Sequence, residues 1–90
     1  MLHILKIQRR FYDDVASGKK TFEVRNDDRC FRVGDLIRFN VFEPNEDGAD
    51  RATEGNVVKD IWVVTYKLNA VDFPSGLKPG YCVLSIERVK

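Results

Sequence analysis

The apolar positions begin with a period of two. From His3 to Ile7 the pattern alternates, with Leu5 and Ile7 on one face, and predicts a strand. The period then changes. Phe11, Tyr12, Val15 and Ala16 stand at i, i+1, i+4 and i+5, which is one face of a short helix. Gly18 is placed to end that helix in the left-handed conformation, and Lys19 and Lys20 follow near the carbonyl end of the helix dipole. Thr21 to Arg25 alternates again. Hydrophobicity turns Phe22 and Val24 inward and leaves Thr21, Glu23 and Arg25 outward.

Asn26-Asp27-Asp28 breaks this strand, and Val33-Gly34-Asp35 makes a tight turn into the next. Leu36 to Phe42 is apolar at nearly every position and reads as a well-buried strand. Glu43 to Asn56 is polar, with Pro44, Gly48 and Gly55, and reads as a long hairpin tip. Val57 to Leu68 reads as the longest strand, Phe73 to Gly80 as a second loop and Tyr81 to Val89 as the last strand. The fold class is therefore mainly β (α+β). An open sheet of five strands leaves two exposed apolar edges, so a small β-barrel plugged at one end by the short N-terminal helix buries most.

Size and composition narrow the class. A chain of 90 residues forms a single domain, 1–90. By surface scaling it buries about 64% of its unfolded surface, enough for one modest core. Hydrophobic residues at 43% and charged residues at 32% exclude disordered, collagen-like and disulfide-rich chains. No apolar run approaches the roughly 18–20 residues that span a bilayer, so no membrane partner is expected. The start of the chain lacks a signal-peptide pattern. Cys30 and Cys82 form no CxxC pair, which points to free thiols and a cytoplasmic protein.

The net charge of +1 hides an uneven distribution. Residues 1–42 hold nine Lys/Arg against six Asp/Glu, whereas residues 43–56 hold one Arg against five acids. The first half can attract phosphate and the acidic tip repels it. A pI near 7.8 is well below that of a committed nucleic-acid binder, so polyanion binding would be local.

One stretch carries more chemistry than the rest. Gly18-Lys19-Lys20-Thr21-Phe22-Glu23-Val24-Arg25 fits the pattern G-x-K-x-x-E-x-R directly after a short amphipathic helix. With the opening strand, Arg29-x-Phe31-x-Val33-Gly34-Asp35 and the ending Gly76 to Ile86, it resembles the ASCH domains of the PUA-like superfamily, in a branch of short proteins from bacteria and phages. The resemblance covers nearly the whole chain except the acidic tip. It implies a PUA-like barrel with a pocket beside the helix, lined by Lys20, Glu23 and Arg25, that binds RNA or a nucleotide-like ligand. Independently of the resemblance, a carboxylate can accept from a base amine, and a guanidinium can fork onto phosphate or a base edge. Lys19, Lys20 and Arg29 would add positive charge along a backbone, and Tyr81, opening the last strand, would stack a base. On a solvated strand the same charges would form only a surface ion network of small energetic consequence.

Two other functions compete with this one. Some small ASCH relatives are amidohydrolases that deacetylate N4-acetylcytidine with a lysine, a threonine and a later glutamate. The resemblance aligns Lys20 with the lysine and Glu87 with the late glutamate, but Glu23 stands where the threonine would be, so no catalytic set is assigned beyond Lys20 and Glu23. The third possibility is a protein-interaction module whose acidic tip engages a basic partner. Glu43-x-Asn45-x-Asp47-Gly48-x₅-Glu54 approximates an EF-hand loop, but it begins with Glu and is flanked by strands. No metal or cofactor is expected. His3, the only histidine, reads as a strand residue, and Trp62 reads as core.

Overall fold

Strand β1 (Leu2–Gln8) buries His3, Leu5 and Ile7 and exposes Leu2, Ile4 and Lys6, as its alternation requires. It belongs to a computed structural model that describes residues 1–44 and 55–90. Helix α1 (Arg9–Ala16) follows at once and presents Tyr12 and Val15 to the interior. Gly18, at φ +84°, makes the left-handed exit expected of it, and its N–H donates to the Val15 carbonyl at 3.2 Å. The remaining elements are β2 (Phe22–Asn26), β3 (Leu36–Phe42), β4 (Asn56–Val57), β5 (Trp62–Asn69), a single 3₁₀ turn at Ala70–Asp72 and β6 (Tyr81–Arg88).

The strands form one curled sheet in the order β1-β3-β5-β6-β2, with the short β4 paired to β3. β1 and β3 are parallel, and the other pairs are antiparallel. The sheet is a half-barrel: its two outer strands, β1 and β2, approach each other but share no ladder. Its concave face holds Leu5, Ile7, Ile37, Phe39, Val64 and Leu84, and α1 adds Tyr12 and Val15. Phe39 meets Trp62 edge-on at 5.2 Å, and Tyr12 closes on both rings at 6.1 and 6.0 Å. Burying one such ring contributes about 2–3 kcal/mol, so this aromatic triad anchors the helix to the sheet.

Three local features differ from the sequence reading. The long strand expected over Val57 to Leu68 is cut into β4 and β5. Between them Val58 donates to the Phe39 carbonyl at 3.0 Å and accepts from Arg38 at 3.1 Å, and Asp60 turns to Arg88 at 3.2 Å. The second difference is a register shift between Val64 and Tyr66 in β5, a bulge that adds twist and lets the sheet curl. Third, β2 faces the other way. Phe22 and Val24 are 45% and 50% exposed, while Glu23 is only 3% exposed. Alternation was correct, but the inward residue is the charged one. Its desolvation is offset by two cations that the same short segment supplies.

The segment between β2 and β3 is tied down by side chains. Asp27 accepts from the Phe31 N–H at 3.0 Å and from Lys67 at 2.7 Å, and Lys67 also reaches the Phe31 carbonyl at 2.8 Å. Gly34 sits at φ +94°, and its N–H bonds to the Val64 carbonyl at 2.8 Å. Both cysteines are free thiols: Cys30 is exposed, and Cys82 is fully buried, with burial pushing its pKa up. Among the described residues no helix is long and apolar enough to cross a membrane.

Candidate functional site

The α1 exit places the first member of the site. After Gly18, the Lys20 N–H donates to the Asp14 carbonyl at 3.0 Å, which fixes the chain as it enters β2. From there the Lys20 ammonium reaches the Phe22 carbonyl at 2.6 Å and the Oε2 atom of Glu23. Arg25, two residues along the same face, donates to Glu23 Oε1 through Nε at 3.1 Å and Nη2 at 2.7 Å. The same Nη2 donates to the Lys6 carbonyl of β1 at 2.7 Å. Glu23 is thus a buried carboxylate clamped between an ammonium and a guanidinium, and Arg25 ties the clamp to the opposite strand.

This clamp forms one wall of a cleft of about 360 Å³ in the gap between β1 and β2. Lys6, Ile7 and Gln8 line it from β1, Lys20 and Phe22 to Arg25 from the other side, and Phe11 and Phe42 complete it. Three cations and one carboxylate leave it electropositive. Its rim is aromatic and exposed: Phe22 is 45% and Phe11 37% accessible. Each ring carries a cation, Lys20 lying 4.8 Å from the Phe22 centroid and Arg10 4.4 Å from that of Phe11. Exposed apolar rings beside convergent polar groups are the composition of a ligand site.

The residues singled out from sequence do not all meet here. Lys20, Glu23 and Arg25 line the cleft together, whereas Lys19, Arg29 and Tyr81 do not. Lys19 is exposed beyond the helix end. Arg29 donates through Nη1 to the Ile4 carbonyl at 3.0 Å. Tyr81 is half-buried opposite Asn26, with the Lys78 ammonium 5.9 Å from its ring. Glu87 and Thr21 line a separate groove of about 280 Å³, and Lys20 lines both hollows. Of the EF-hand-like stretch, residues 45–54 lie outside the described residues; Glu43 pairs with Arg9 at 3.5 Å. No group of three or more potential metal ligands converges among the described residues.

Phe11 and Phe42, which line the cleft, drew no attention in the sequence beyond their apolar character. A second polar centre was also missed. His3 is buried, and its Nε2 lies 2.8 Å from Asp35 Oδ2. The Arg32 N–H donates to the same oxygen at 3.1 Å, and the Met1 amino group to Oδ1 at 3.3 Å. The His3 hydrogen bond, opposed by burial and aided by Arg32 and the amino group, holds the Asp35 carboxyl below its usual range. The available signal was that His3 shares the inward parity of Leu5 and Ile7.

The model for a domain of unknown function, DUF3850, matches residues 2–86, almost the whole chain. The chain belongs to the DUF3850 family. A search of the curated proteins gave no match. The DUF3850 match runs from β1 through α1, β2 and β3 and therefore takes in every residue of the cleft.

Proposed function

We propose that this DUF3850 domain is a cytoplasmic RNA- or nucleotide-binding module of the ASCH, PUA-like kind, and that it takes its ligand in the cleft between β1 and β2. One observation carries the reading: a buried carboxylate, clamped by Lys20 and Arg25, opens onto a hollow with exposed aromatic edges. Phe11 and Phe22 offer partly exposed rings against which a base can pack. Glu23, positioned by its two cations, accepts from an exocyclic amine, and the surplus of Lys6, Lys20 and Arg25 attracts phosphate. The volume suits a single unstacked nucleotide. The resemblance of Gly18 to Arg25 to the ASCH pattern supports the same assignment, and two free thiols fit a reducing compartment.

Fluorescence anisotropy with short single-stranded RNAs, and calorimetry with mononucleotides, test the proposal. Binding should weaken steeply as salt rises, and Glu23→Gln should lower affinity about tenfold by removing the charged acceptor. Absence of binding to both RNA and nucleotides overturns it. Incubation with N4-acetylcytidine supplies a further arm: release of cytidine would replace the binding module by an amidohydrolase centred on Lys20.

A further inference from the structure

We propose that Arg29, together with Arg25, staples β1 to β2 and so sets the width of the cleft, and that Arg29 makes no contact with phosphate. The backbone of each outer strand shows where the joint lies. On β1, the Met1 carbonyl bonds to Leu36 of β3, so odd-numbered residues direct their peptide groups toward β3 and even-numbered ones toward the gap. On β2, the Thr21 carbonyl bonds to Ile86 of β6, so there too the even-numbered residues face the gap. Two rows of peptide groups therefore confront each other with no ladder between them.

Side chains fill that place. The Ile4 carbonyl accepts from Arg29 at 3.0 Å and the Lys6 carbonyl from Arg25 at 2.7 Å. The order agrees with the topology. β1 and β2 run in opposite directions, and moving forward from Arg25 on β2 to Arg29 in the turn that follows it moves two residues back from Lys6 to Ile4. The planar fork of a guanidinium spans a gap too wide for a peptide ladder and caps an edge that would otherwise recruit another strand. The cleft occupies the gap on the Gln8 side of Arg25, and Arg29 stands on the other side, outside the cleft. Arg29 is thus a positioning residue: it holds the two cleft-lining strands at their spacing without touching what lies between them.

Amide hydrogen exchange on the native protein and Arg29→Ala decides the first part without any ligand. Loss of the staple should speed exchange at Leu5 and Ile7 about tenfold while the β5–β6 amides of Val63 and Val83 keep their native rates. Native rates at Leu5 and Ile7 overturn the staple. If Arg29→Ala does not fold, Arg29→Gln, whose amide falls short of the Ile4 carbonyl, should show the same increase. The second part rests on the proposed function and is read from the salt dependence of RNA affinity. A positioning role weakens binding at unchanged slope, whereas a slope shallower by about 0.7 would show a lost phosphate contact and overturn that part. Failure of the native protein to bind RNA would remove the proposed function and leave the staple to be decided by exchange.

Discussion

Glu23 and Asp35 are both carboxylates withdrawn from solvent and held by nitrogen donors, yet their surroundings differ. Asp35 is enclosed by His3, the Arg32 N–H and the Met1 amino group, and the His3 ring packs edge-on against Phe31 at 4.8 Å. Glu23 has Lys20 and Arg25, and its third side opens onto a cleft with exposed rings. The difference lies in the neighbouring backbone. Asp35 precedes β3, which is flanked on both sides by paired strands, whereas Glu23 sits on β2, whose outer edge faces the unpaired gap. A buried charge beside completed hydrogen bonding is a structural tie; beside incomplete pairing it stays open to a ligand, which is the role proposed for Glu23.

The largest effect that would break this contrast is on stability. Asp35→Ala removes the partner of a buried histidine and should destabilise the fold by about 2 kcal/mol in urea denaturation while leaving ligand affinity nearly unchanged. A comparable loss of affinity in the folded variant would show that the two centres are not separate. A smaller effect sharpens the other side. Phe22→Ala removes a ring that is already 45% exposed, so stability should change little, but loss of stacking should weaken RNA binding by about 1 kcal/mol, read by anisotropy. Unchanged affinity would mean that the aromatic rim does not hold a base.

The smallest effect is on pH dependence. Asp35 has a lower pKa folded than its ordinary value of 3.8, so the unfolded chain binds more protons as acid is added. Its contribution to stability is fully present above that ordinary value and is lost as pH falls through the depressed folded value. Denaturation curves between neutral pH and the acid limb should therefore fall less steeply for Asp35→Asn than for the native chain. Equal acid limbs would assign the loss to other carboxylates.

Much of the local structure was legible because it depends on periodicity and turn chemistry. Leu5 and Ile7 placed β1, Tyr12 and Val15 placed the inner face of α1, and Gly18 marked its exit. The group Lys20, Glu23 and Arg25 was also legible, since three residues on so short a segment must lie near one another. The direction of β2 was not. Alternation defines two faces without saying which is inward, and hydrophobicity chose Phe22 and Val24 because it could not count the cations beside Glu23. The break at residues 58–61 was hidden for a related reason: Val58 and Ile61 read as strand, while the contacts of Val58 with Phe39 and Arg38 and of Asp60 with Arg88 come from distant positions.

The amino-acid order alone determined β1, β2, β3 and β6, the short helix and the charged segment that follows it, because those rest on interactions within a few residues. Only the tertiary structure decided that the sheet would stop short of closure, that Glu23 would face inward, and that Arg25 and Arg29 would bridge to β1. Those outcomes depend on the curl of five strands and on carbonyls some twenty residues away, and no local pattern encodes where a distant backbone edge will lie.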